Sequence, residues 1–168
     1  MPLHPIIVHF PIVLSFLIPI GMLGLIVASN KIKDQRTAWI VISGLCVMLT
    51  ASSFASMAAG EYDEERVEKV VQESVIEEHE EGAELFSWLT ILPLIFSLLF
   101  VYKNRPGFRG GAVASSLFVA LLAIMVGHTG GELVYEHNAG SAFSKSASAI
   151  ALQGDGYFGR GDHDYDDD

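Results

Sequence analysis

Four stretches of the chain are apolar around their whole circumference: residues 4–28, 37–59, 85–102 and 112 to about 134. They contain no Asp, Glu, Lys or Arg apart from Glu132 near the end of the last. A helix of a soluble core would place polar residues on one face at a period of 3.6, because that face must meet water. These stretches have no such face. Each is close to the roughly 20 residues that a helix needs to cross about 30 Å of hydrocarbon. The pattern therefore predicts an all-α, integral membrane four-helix bundle. Pro5 suits the first turn of a helix, where its missing donor costs nothing, whereas Pro11, Pro19 and Pro93 predict kinks.

The segment between the second and third runs has a different period. Val67, Val70, Val71, Val75 and His79 recur at helical spacing with glutamates opposite them, which predicts an amphipathic outer helix over residues 61–82. It is expected to run on into the third membrane helix, with Gly82 as a bend. After Gly140 the chain turns to Ser, Ala, Gly and Asp and ends DHDYDDD, too poor in apolar side chains to bury a core. The expected organisation is a four-helix membrane domain at 1–140 and a flexible acidic tail at 141–168.

Charge orients this arrangement. Lys31, Lys33 and Arg36 follow the first run and Lys103, Arg105 and Arg109 follow the third, so those two turns are expected in the cytoplasm by the positive-inside rule. Both termini and the segment 61–84 then face outward, which in a bacterial cytoplasmic (inner) membrane means the periplasm. The three residues before the first run carry no Lys or Arg, so that run reads as a retained helix rather than a cleaved leader. A formal net charge of -10 argues against nucleic acid as a partner. Cys46 is the only cysteine, which excludes an intrachain disulfide, a multi-thiolate zinc site and CxxCH haem attachment. Its place inside an apolar run predicts core packing.

Any cofactor must therefore be held by other side chains, and six histidines stand out: His4, His9, His79, His128, His137 and His163. Counted from the cytoplasmic helix ends, His9 lies roughly 29 Å up and His128 roughly 24 to 26 Å up, whereas His79 lies at roughly 35 Å with His4 at a comparable height. Imidazole is a common metal ligand and the usual axial ligand of a haem, oriented when its other nitrogen donates to a carboxylate or carbonyl. Glu132 stands one turn after His128, and Glu80 and Glu84 flank His79. Gly127, Gly130 and Gly131 remove bulk where a helix or a flat macrocycle could approach. The expectation is one outer-facing cavity receiving His9, His79 and His128, with His4 and His137 as further ligands or orienting groups. Plainer readings stand beside it: His4 as a helix cap, His9 and His128 as hydrogen-bonding groups across the bundle, His163 as a solvated tail residue.

HPIIVHFPIVL (4–14), IEEHEEGAE (76–84) and GHTGGELVYEHNAG (127–140) together resemble the domain-of-unknown-function family 2231 of bacterial membrane proteins. The resemblance implies a four-helix membrane fold with ties to cytochrome c modules, and carries over His4, His9, His79, Glu132 and His137. It also implies that the position of His128 is often aromatic and that of Asn138 often glycine.

The leading expectation is a membrane protein binding haem b through His9, His79, His128, His4 and His137. It would pass electrons from the quinol pool to an outer acceptor such as cytochrome c or another respiratory subunit. The alternatives are a divalent transition-metal site of His9, His79, His128, Glu132, Glu80 and Glu84, or a structural subunit embedded in membrane lipid. No nucleophile with a base, phosphate-binding loop or HExxH motif marks an enzyme, and that question stays open.

Overall fold

The computed structural model describes residues 3–144. His163 and the acidic end lie outside the described residues. Six helices follow in order: α1 (His4–Ile7), α2 (His9–Val27), α3 (Gln35–Val67), α4 (Glu73–Leu89), α5 (Ile91–Lys103) and α6 (Pro106–Tyr135), then a 3-10 turn at Ala139–Phe143. Four spans are long and apolar enough to cross a membrane: His4–Val27, Gln35–Val67, Glu73–Lys103 and Pro106–Tyr135. Each packs against its two neighbours in a closed ring, the first on the second and fourth, the third on the second and fourth.

Prolines set the breaks inside spans. α1 ends at Ile7 and α4 at Leu89, each four residues before a proline (Pro11, Pro93). Those are the carbonyls whose helical donor the proline lacks. Pro19 sits inside α2 without interrupting it. Gly82 does not bend the chain either, since α4 runs through it, and the third span is interrupted at Thr90 instead.

The outer segment also differs from the single helix expected over 61–82. Its first third prolongs α3 as far as Val67, the chain turns over residues 68–72, and the rest opens α4. Val67, Val71 and Val75 pack with Ile76, Leu133 and Ala139 into a small second core. Val70 is exposed. The 3-10 turn closes this end, with Arg66 lying over the Phe143 ring at 5.9 Å. The turn is entered through Asn138 in the left-handed conformation (φ 57°), which Asn tolerates better than most residues other than glycine. At the opposite end Asp34 caps α3 by accepting from Thr37 N at 3.0 Å, and left-handed Asn104 terminates α5.

The buried positions follow one rule. On α3 the seam runs through Trp39, Ile42, Cys46, Leu49, Ser53, Ser56 and Asp63, with Gly60 half-buried between the last two and Ser43 and Ala59 buried beside it. Alternate steps of three and four recur on α6 (112, 116, 119, 123, 126, 130, 133) and on the third span (76, 79, 83, 86, 90, 93, 97, 100), straight through its break. That is the seam of a left-handed bundle. The seam is rich in hydroxyls: Ser15, Ser43, Ser53, Ser56, Ser87, Thr90, Ser97 and Ser116 are buried. Most return their proton to a carbonyl of their own helix, while Ser43 Oγ also reaches Ser97 Oγ at 3.1 Å. Phe10, Phe16, Ile20, Val41, Met48, Leu98, Phe118 and Leu121 face outward instead. Small polar residues inside and large apolar ones outside suit helices packed in lipid, where close backbone approach drives association.

Candidate functional site: a histidine pair on the bundle axis

His4 and His79 meet across the bundle, their ring centroids 6.2 Å apart and their planes at 89°. They belong to the first and third spans, which are diagonal in the ring, so the pair lies at its centre near one end. Each imidazole is held by the span beside it. His4 Nδ1 donates to the carbonyl of Ser56 at 2.8 Å. Its ring rests on Gly60, where a Cβ would stand 3.3 Å from Nδ1. His79 Nδ1 lies 2.9 Å from Thr129 Oγ1. That hydroxyl gives its own proton to the Val126 carbonyl and so accepts from the ring. A Cβ on Gly130 would stand 3.1 Å from His79 Cε1. All four spans thus contribute to the pair.

The Ser56 carbonyl can only accept, so the His4 ring carries its hydrogen on Nδ1. Each imidazole is thus held through its Nδ1 by the span beside it. Beneath His4, Asp63 contributes a carboxylate that is only 5% exposed. Its Oδ2 accepts from the backbone N–H of Leu3 at 2.9 Å and of His4 at 3.2 Å.

The other candidates lie elsewhere. His9 is exposed on the outer side of α2. It stands two residues, about 200°, away from the inward position of Pro11. His128 stands at the same offset from inward Gly130, its side chain 75% exposed, and pairs with Glu132 at 3.5 Å along the outside of α6. A shallow groove there is lined by Gly127, His128, Gly131, Glu132, Tyr135 and Glu136. The expected cavity shared by His9, His79 and His128 is therefore not formed, because helical phase turns two of the three outward. His137 is exposed beyond the end of α6. Glu80 is half-buried and Glu84 exposed, the latter accepting from Trp88 Nε1 at 3.4 Å. His79 turns to Thr129 rather than to either. Among the described residues no cluster of three or more His, Cys, Asp or Glu could hold a metal ion.

Sequence reading missed Ser56, Asp63 and Thr129. The signal that could have found them is the seam: Ser56, Gly60 and Asp63 continue the steps of three and four that begin at Trp39.

No curated protein and no solved structure matches the chain. A family model matches residues 1–142, most of the described fold and both histidines of the pair. By that match the chain belongs to the family described as predicted membrane protein (DUF2231).

Proposed function

We propose that this protein is a b-type haem protein of the bacterial cytoplasmic membrane, with its iron held between His4 and His79, and that it transfers single electrons near the outer face. The observation that carries this reading is the 6.2 Å separation of the two ring centroids. At that separation His4 and His79 would be able to hold one iron in common, each through a ring nitrogen at about 2.0–2.1 Å. The donor set points the same way. A bare zinc-type ion would need four protein or water ligands, whereas a haem brings four nitrogens of its own and would need only His4 and His79 from the chain. When bound, a haem would supply the one-electron ferric/ferrous couple; the chain would supply the imidazoles of His4 and His79 and the low-dielectric bundle around them.

In this reading the basic turns around Arg36 and Arg105 lie in the cytoplasm, and the histidine pair lies toward the periplasm with both termini. The acidic rim of Glu61, Glu64, Glu65, Glu73, Glu77 and Glu81 steers a basic acceptor of the cytochrome c kind. The quinol pool is the donor. Orientation is tested by an impermeant thiol reagent on intact cells in a Cys46→Ser background: cysteine at position 73 labels and cysteine at position 34 does not, and the reverse pattern inverts the topology.

The cofactor is tested by the reduced-minus-oxidised optical spectrum of gently purified protein expressed with ample haem, with metal analysis of the same sample. The wild type shows a six-coordinate haem, His4→Ala and His79→Ala convert it to a five-coordinate or haem-free form, and His9→Ala leaves it intact. A stoichiometric metal without haem bands replaces this reading with a non-haem site. Neither haem nor metal leaves a structural subunit.

A further inference from the structure

Asp63 shares the α3 seam with Ser56 and Gly60, yet an axial-ligand role for His4 and His79 does not use it. A carboxylate buried in a membrane bundle is costly unless something favours its charge. Its two donors, the amides of Leu3 and His4 at 2.9 and 3.2 Å, are neutral and do not cancel that charge. Three successive positions of one seam therefore grip the residue that carries the first imidazole: Ser56 fixes the ring nitrogen, Gly60 supports the ring, and Asp63 fixes the backbone.

We propose that Asp63 is the positioning and charge-setting residue of the site: it anchors the backbone of His4 and supplies the negative charge that favours a cationic centre between the two rings. The charge role rests on the haem reading, whereas the anchoring role does not. With haem held at the pair, an ionised Asp63 would favour the ferric form and lower the reduction potential. D63N keeps the side chain's size and an acceptor oxygen and removes the charge. D63A removes the anchor as well.

Two measurements on the full-length protein test the two roles separately. In potentiometric titration of the haem-loaded protein, D63N keeps the six-coordinate spectrum of the wild type. Its oxidised-to-reduced ratio at fixed potential falls at least tenfold, a rise of 59 mV for one electron. An unchanged potential overturns the charge role. In the haem-free protein, D63A speeds amide hydrogen exchange at Leu3 and His4 at least tenfold, while E64Q, one residue along the helix, leaves it unchanged. Equal exchange in D63A and wild type overturns the anchoring role. If the wild type takes up no haem, the haem reading and the charge role fall together, and the exchange result alone decides what Asp63 does.

Discussion

His79 lies directly on the backbone of Gly130, so close that a Cβ added there would stand 3.1 Å from Cε1 and 3.6 Å from Nδ1 of the ring. The neighbouring residue Thr129 holds the same ring by its Nδ1 at 2.9 Å. α6 thus offers His79 a flat seat and a hydrogen bond on consecutive residues, and neither can shift without disturbing the other.

That relationship predicts opposite outcomes for two glycines one residue apart. Gly130→Ala forces the ring away by a few tenths of an ångström, lengthens the bond to Thr129 and weakens retention of a ligand at the pair severalfold. Gly131 has no atom within 4 Å of an added Cβ, so Gly131→Ala leaves the site intact and stabilises α6 by up to about 1 kcal/mol through its better helix propensity. Ligand retention and thermal melting in detergent, measured on both variants, separate the two. Equal retention would show that the ring is not seated on Gly130.

The same geometry sorts the histidines by function. His128→Ala breaks only an exposed pair with Glu132, a contact worth about 0–1 kcal/mol. His9→Ala removes an exposed ring. Neither changes the environment of the remaining imidazoles, whereas His4→Ala changes that of His79 because the two rings meet edge to face at 6.2 Å. Histidine side-chain NMR on the four proteins reads this directly. A His79 signal that moves with His9 or His128 but not with His4 would contradict the arrangement.

Why this sorting was not read from sequence has a physical explanation. The spans were legible because lipid imposes a crude requirement, some twenty residues without charge, and four stretches meet it. Height was legible too, since a fixed rise per residue places His4 and His79 at comparable levels. Azimuth was harder. In a bundle whose outside is apolar, hydrophobicity does not distinguish the inward face, so the amphipathic signal that orients a soluble helix is absent from residues 9–27 or 112–127. The information lies instead in small and polar residues at alternating steps of three and four, such as Ser53, Ser56, Gly60 and Asp63 on α3. Followed backward on the first span from Ile18 through Leu14, Pro11 and Ile7, that rhythm arrives at His4 and passes over His9.

At the opposite end, the Thr37 hydroxyl, aided by the Thr37 amide, holds the Asp34 carboxyl below its ordinary value of 3.8. A depressed carboxylate contributes stability above its unfolded value and loses it as the pH falls through the lower folded value. The start of α3 is therefore capped at neutral pH and frays only as the pH drops below about 3.8. Asp34→Asn keeps a capping oxygen without the titration, so the protection of the Thr37 amide, taken relative to its intrinsic exchange rate at each pH, becomes independent of pH in that window. A Thr37 amide equally protected at pH 2 and pH 6 in the wild type would exclude the carboxylate as the cap.

The packing of the seam makes a last prediction, at Ser43 and Ser97. Their hydroxyls meet at 3.1 Å between α3 and α5: Ser97 donates to the Leu94 carbonyl, while the single Ser43 proton is shared between the Trp39 carbonyl and Ser97 Oγ. Each oxygen therefore keeps a partner when the other is removed. The hydrogen bond between helices is then worth little, on the order of 0.6 kcal/mol as is typical inside membranes. What these residues contribute is smallness, since both are buried in a seam beside Phe100 and Trp39. Ser43→Ala and Ser97→Ala are accordingly near neutral singly, and a double-mutant cycle returns a coupling below about 1 kcal/mol. Ser97→Leu has no space to occupy and costs about 1–3 kcal/mol or more through overpacking. Reversible unfolding of the four variants in mixed detergent measures all three quantities. A coupling well above 1 kcal/mol together with a tolerated leucine would mean that hydrogen bonding, not close approach, holds these two spans together.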